Sequence, residues 1–412
     1  MGEANLHNEW AFTLFDYHLD FLKQANGGQD VGHGVDLTNM IDFNQIHLIG
    51  RGEVADDLAH RDGEAGLERI RSMIRIASTT AFYQEPDDRP HPDIPTGIVF
   101  PEFEGDVIQD GQVVFDETMI RALNQSIVSL VYLRGANHNF FNRMLTLDYR
   151  AGLHFFVAQV SPETWLTQEQ QEDFMMRYAA AFLAMVTGNR EPWGTFSTME
   201  PQPVTMFEYE VIASIYIPGH QRVLAVPSEG ANQAYVIATG SATSTFYVQT
   251  IPLEATGVFN HPGVLARQDR QLTLYALEWD GNGRAVSFSL LTNDFSAHNA
   301  LSMYVAVDSS NELNPQDEYQ AFTVTLTDSS GTRQSVIIPA GISVLAYHPG
   351  HLFVFQSEDT VHVGWAGYMP LGDLRIPFSY FDGVDLSAIS DISITFDQSL
   401  SGALMLSGIY LK

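Results

Sequence analysis

Two polar segments of this chain carry the residue types that acid–base chemistry needs. One is Gly135-Ala136-Asn137-His138-Asn139-Phe140-Phe141-Asn142, directly after the apolar run Ser129–Leu133. The other is Phe100-Pro101-Glu102-Phe103-Glu104-Gly105-Asp106-Val107, which starts where the apolar run Gly97–Phe100 ends. If both runs are buried strands, carboxylates and an imidazole sit past successive strand ends, where an α/β sheet binds its ligands. A loop histidine taken alone is usually structural and bonds to backbone. An acid on one strand end and a histidine on the next form the acid–base half of a Ser-His-Asp system. There the acid fixes the imidazole tautomer and stabilises the imidazolium. Other clusters are weaker. His348-Pro349-Gly350-His351 puts two histidines in a turn, but no carboxylates converge on it from the sequence. Gly52 and its neighbours lack the Gly-Lys-Ser/Thr of a phosphate loop. Asp56-Asp57 reads as a solvated helix face.

These segments need a scaffold, and the first half alternates helix and strand patterns. Trp10 to Ala25 carries Phe12, Phe15, Leu19 and Leu22 on one helical face. Ile46–Ile49, Ile74–Ala77, Gly97–Phe100 and Ser129–Leu133 read as buried strands. Val54–His60, Glu64–Ser72 and Asp116–Gln125 are helix-compatible. Thr167–Val186 is the strongest helix, opened by a Thr167/Gln170 capping box and stopped at Gly188. Such alternation predicts a parallel sheet with helices on its faces.

After Pro192 the pattern changes. Arg190–Pro203 reads as a linker. Beyond it come short β-rich runs separated by Gly, Pro, Asn and Asp: Ala234–Ala238, Thr245–Thr250, Leu272–Leu277, Ala285–Leu291, Ser302–Val307, Ala321–Thr327, Ser335–Ile338 and Ile392–Phe396. They predict an antiparallel β-sandwich. The expected division is 1–198 for the α/β part and 199–412 for the sandwich.

Composition bounds the function. A net charge of −30 with lysine only at Lys23 and Lys412 argues against nucleic acid as a partner. No apolar run is long enough to cross a membrane. Met1–Trp10 lacks the basic start and apolar stretch of a signal peptide. The absence of cysteine excludes disulfides, thiolate metal sites and a thiol nucleophile.

GANHNFFN, preceded by EGDVIQDGQVVFDE and followed by LTQEQQEDFMMRYAAAFLAMVTG, resembles a group of large bacterial α/β-hydrolases. These are related to dienelactone-hydrolase-like and polyester- or cutinase-like esterases. The resemblance implies hydrolysis of a small or polymeric carboxylic ester by a secreted enzyme. It implies His138 as general base and Glu104 or Asp106 as the acid. It also marks a departure. The family's nucleophile elbow resembles Leu-Ile-Gly-His-Ser-Arg-Gly-Gly-Glu, and this chain has Leu48-Ile49-Gly50-Arg51-Gly52-Glu53. Arg51 stays protonated and is no nucleophile. The early strands that the family places before this point also have no counterpart in the residues that precede it. The competing expectation is a non-catalytic binding or structural protein.

The second half resembles carbohydrate-binding or galactose-binding-like jelly-roll domains over Ala321–Asp328, Leu374–Leu386 and Ile392–Gly408. Trp279, Trp365, Tyr368 and Tyr380 are candidates to stack on a sugar, against the competing reading of core aromatics. No cofactor is expected apart from a structural Ca²⁺, for which Asp308, Glu312, Asp317 and Glu318 offer one acidic loop.

Overall fold

The computed structural model describes residues 9–32, 34–51, 54–78, 92–103, 112–121, 125–143, 165–188, 194–224, 243–252, 271–281, 283–357, 360–367 and 370–412. Its first sheet is built from β1 (Ile46–Arg51), β2 (Ile70–Ile76), β3 (Thr96–Phe103), β4 (Val128–Asn137), β5 (Thr205–Met206) and β6 (Tyr209–Tyr216). Their order is β1-β2-β3-β4-β6-β5. The first four pair in parallel, and β6 runs antiparallel to β4 through Leu133↔Val211 to Val128↔Tyr216. The first sheet therefore draws its last two strands from beyond residue 198.

Four helices accompany it: α1 (Glu9–Asn26), α2 (Val54–Glu64), α3 (Gln112–Arg121) and α4 (Gln168–Val186). Strands apolar on both faces make this necessary, because a parallel sheet cannot leave a face in water. Val99, Val131, Leu133, Ala213 and Ile215 point to one face and pack on Phe174, Tyr178 and Phe182 of α4. Contact there is close. A Cβ added to Gly97 would lie 2.7 Å from Tyr178 Oη. The capping box on α4 forms as expected, with Gln170 N donating to Thr167 Oγ1 at 3.3 Å and Thr167 N to Gln170 Oε1 at 2.8 Å.

Two local expectations need correction. Glu64–Ser72 is not a helix: α2 stops at Glu64 and β2 begins at Ile70. The buried Asp62 carboxylate accepts the N–H groups of Arg69 at 2.6 Å and Ile70 at 3.1 Å, which turns the chain into the strand. Asp56 is not solvated either. It is buried on α2 and pairs with the buried Arg75 of β2 at 2.8 Å.

The second half adds β7 (Gln221–Arg222), β8 (Thr243–Pro252), β9 (Gln271–Asp280), β10 (Arg284–Phe288), β11 (Ala300–Val307), β12 (Phe322–Asp328), β13 (Arg333–Ile338), β14 (Gly350–Ser357), β15 (Thr360–Gly367), β16 (Gly372–Pro377), β17 (Ile389–Phe396) and β18 (Ser401–Leu411). One sheet has the order β10-β17-β12-β13, the other β16-β11-β18-β9-β8, and β14 and β15 form a hairpin. The pairs are antiparallel, so this part is a β-sandwich. Ala234–Ala238 lies outside the described residues.

The sandwich is not a separate bead. Ile98, Phe100, Leu130, Tyr132, Ile212 and Tyr216 of the parallel sheet, with Phe115 and Met119 of α3, share one core with Leu301, Met303, Leu404 and Ile409. Polar ties cross the same seam. Tyr304 Oη donates to Asp116 Oδ1 at 2.5 Å, and Tyr132 donates to Gln112 on the same helix. Lys412 Nζ donates to Ile215 O at 2.6 Å and pairs with Asp373 Oδ2 at 2.5 Å. The expected linker is packed as well. Arg375 donates to the carbonyls of Gly194, Thr195 and Glu200, and Phe196 is buried.

A shared core predicts one cooperative transition for both parts. Urea unfolding followed by near-ultraviolet and far-ultraviolet circular dichroism should give coincident curves. Lys412→Met leaves Asp373 buried without its cation, and should cost about 3 kcal/mol in the same experiment.

Candidate functional site

The carboxyl ends of β3 and β4 form one edge of the parallel sheet. β1 reaches the same edge at Gly50-Arg51, and the chain enters α2 at Val54. The end of β1 lies close on the start of α2, since a Cβ on Gly50 would meet the Ala55 Cβ at 3.0 Å. Arg51 is half-buried at the end of β1, and Gly52 and Glu53 lie outside the described residues.

His138 directly follows β4 and is buried. Its loop is held by the Asn137 side chain, whose Oδ1 accepts the N–H groups of Asn139 and Phe140, each at 3.1 Å. Glu104 and Asp106 lie outside the described residues. Two serines lie on or just beyond β2. Ser72 is buried and lies 2.7 Å from His47 Nδ1 across the β1–β2 pair. Ser78 is buried past the end of β2, and its hydroxyl has no partner.

The carboxylate that the described residues bring to this edge is Glu102. Gly135 N donates to its Oε2 at 2.8 Å and Arg134 Nε to its Oε1 at 3.2 Å. Those bonds clamp the ends of β3 and β4 together. Behind Glu102 stands His348, with Nδ1 3.8 Å from Oε1. His348 is buried and its Nε2 has no hydrogen-bond partner. Burial, and after it the neighbouring Arg134 charge, push the imidazole pKa down to about 3, so it is neutral. For Arg134, burial opposes the charge, but Glu102, Tyr319 and Glu210 outweigh it and raise its pKa.

In front of Glu102 opens a cavity of about 670 Å³. Glu102 and Phe103 line it from β3, Arg134 and Gly135 from β4, Leu166 and Gln170 from the start of α4, and Pro349 from the sandwich. The β5–β6 hairpin supplies Glu208, Tyr209 and Glu210. Its two-residue turn is strained. Phe207 at φ 53° and Glu208 at φ 77° occupy left-handed positions that favour glycine or asparagine. Packing holds it there: the Phe207 ring sits edge-on to Phe174 at 5.9 Å. Tyr209 is fixed by donating its hydroxyl to Asp173 Oδ2 at 3.0 Å.

Sequence reasoning passed over Glu102, Arg134 and His348 as members of one site. Glu102 stood in the acid segment, and its position on the last strand residues was the available signal. His348 gave none, because its place depends on how the sandwich docks.

In the sandwich, Trp279 is not a sugar platform. It is fully buried and stacks on Phe396 at 4.0 Å and 12°. Tyr380 is exposed. The side chain of Trp365 and all of Tyr368 lie outside the described residues. In the loop expected to hold Ca²⁺, Asp308 is buried and its Oδ1 accepts Ser310 Oγ at 2.5 Å and Ser310 N at 3.1 Å, while Glu312, Asp317 and Glu318 are exposed. Among the described residues no three His, Asp or Glu side chains converge as metal ligands. Among them, too, no helix is long and apolar enough to cross a membrane.

No family model matches the chain, and no curated protein does. Among solved structures, it is similar to a family 11 carbohydrate-binding module from Clostridium thermocellum in complex with a β-1,3-1,4-mixed-linked tetrasaccharide. That match has 15% identity and a TM-score of 0.27, over 47% of this chain and 95% of the module. A family 30 carbohydrate-binding module of a cellulosomal cellulase of the same organism matches at 12% identity and TM-score 0.26, over 47% and 96%. An agarase matches at 16% and 0.21, over 47% of this chain and 24% of the enzyme. Scores this low carry no argument. The sandwich rests on its own strand order.

Two buried neutral histidines set an acid limit. His348 has its pKa lowered to about 3 and His220 to about 4, each first by burial, from an ordinary 6.5. Below pH 6.5 the unfolded chain binds protons that the folded one refuses, so stability falls as pH falls from 6.5 towards these values. The slope is up to about 1.4 kcal/mol per pH unit for each histidine. Urea midpoints measured from pH 7.5 to 4.5 should drop, and His220→Gln should make the drop shallower.

Proposed function

We propose that this protein binds carbohydrate without turning it over, in the cleft between the parallel sheet and the β-sandwich. The observation that carries this reading is the lining of the cleft. Carboxylates and an amide (Glu102, Gln170, Glu208, Glu210) face the rings of Phe103 and Tyr209 beside one guanidinium, Arg134. Sugar hydroxyls pair with such oxygens, and the C–H faces of a pyranose lie against aromatic rings. A volume of about 670 Å³ suits a short oligosaccharide. The non-catalytic half of the reading is supported by Arg51 at the strand–helix turn, where the resemblance expects a nucleophile. A polysaccharide ligand fits a protein that works outside the cell.

A second reading, carboxylic ester hydrolysis, is favoured by one feature. Four parallel strands run in chain order, and β1, β3 and β4 end at the same edge at Arg51, Phe103 and just before His138. In that reading His138 is the base and Glu104 or Asp106 the acid.

Two measurements separate them. Calorimetric titration with neutral gluco-oligosaccharides should show saturable binding, weakened about ten-fold by Tyr209→Ala through loss of one stacking ring. No binding to any neutral or charged oligosaccharide would discard the first reading. Turnover of short p-nitrophenyl esters should equal that of His138→Ala. Turnover above that variant, blocked by a fluorophosphonate, would establish the second.

A further inference from the structure

We propose that the cleft selects saccharides bearing protonated amino groups over neutral ones and rejects uronates; this rests on the carbohydrate-binding reading above. The argument begins with how the local charges are committed. The single guanidinium of the lining is used up inside the protein. Arg134 Nε lies 3.2 Å from Glu102 and Nη1 3.5 Å from Glu210, and its side chain is only 18% exposed. Both Glu102 oxygens are likewise occupied, by Arg134 and by the Gly135 N–H. Two carboxylates remain for a ligand. Glu210 is 63% exposed and shares its charge with Arg134, while Glu208 is exposed at the hairpin tip.

The backbone turn that carries Glu208 is held in place. The Phe207 ring packed on Phe174 and the Tyr209 hydroxyl on Asp173 pin it on both sides. A carboxylate at this wall of the cleft favours a cation. The cavity, with its two rings and the Gln170 amide, then supplies the sugar contacts. The exposed arginines on or against α4 are paired with carboxylates of that helix, Arg143 with Glu172 and Arg177 with Asp173. Arg75, Arg375 and Lys412 are buried and bonded internally, in a chain of net charge −30. An anionic polysaccharide therefore meets repulsion at long range and, among the described residues that line the cleft, finds no guanidinium or ammonium beyond the paired Arg134.

The test uses the full chain and three probes: a (1→4)-linked glucosamine oligomer, its N-acetylated counterpart and an oligogalacturonate. Titrations at pH 5.5 should show the glucosamine oligomer binding at least ten-fold tighter than the acetylated one, with no binding of the uronate. Glu208→Gln should remove about ten-fold for the glucosamine oligomer and cost the acetylated one no more than about two-fold, since the amide keeps a hydroxyl partner but loses the charge. Glu312→Gln, an exposed acid of the sandwich, controls for net charge and should change neither. Equal or tighter binding of the acetylated oligomer overturns the amine selectivity and leaves the carbohydrate-binding reading standing. An equal loss in Glu312→Gln assigns the preference to bulk charge and also overturns it. Failure of all three probes takes down the underlying reading itself.

Discussion

Burial of the second face of the parallel sheet is the constraint on which the rest of this structure depends. Strands β3, β4 and β6 are apolar on both sides, and α4 covers only one. The other face carries Ile98, Phe100, Leu130, Tyr132, Ile212 and Tyr216, with α3 alongside. In a doubly wound protein further helices would cover it. Here the inner sheet of the sandwich does so, and the hydrophobic effect that folds the sheet also fixes the two parts to each other. The walls of the cleft come from the sheet edge, the start of α4 and the β5–β6 hairpin, and the docked sandwich brings Pro349 to it and His348 behind it.

Polar groups on the seam follow from the same burial. A buried hydroxyl, amide or charge without a partner is costly, and several of those on the seam are matched. Tyr304 reaches Asp116 of α3 and Lys412 reaches the Ile215 carbonyl of β6 across the seam, while Tyr132 with Gln112 and Lys412 with Asp373 pair on either side of it. Such pairs define one docking geometry, because a slipped interface would strand several charges at once.

The candidate site shows where this order is spent. The β5–β6 turn keeps Phe207 and Glu208 in left-handed conformations that cost free energy, and tertiary packing holds them there. Glu102 occupies the hinge between chemistry and architecture. Its bonds to Arg134 and Gly135 close the strand ends, and its side chain forms the wall of the cleft.

Much of the scaffold was readable in advance. Period-free apolar runs such as Ser129–Leu133 mark strands buried on both faces, and the Thr167/Gln170 box with Gly188 delimits α4 without tertiary information. The alternation and turn residues after Pro192 carry the sandwich. His138 at a strand end was legible for the same reason: local pattern locates strand ends. The sequence alone also determined the charge, the lack of thiols and the arginine at the elbow. Only tertiary structure decided that Asp56 is buried against Arg75, that the expected linker is packed beneath Arg375, and that Trp279 belongs to the core. It alone joined His348 to Glu102 across more than two hundred residues of chain. Local propensity and periodicity act over a few residues, whereas burial and ion pairing depend on which surfaces meet, and that meeting is settled by the whole core together.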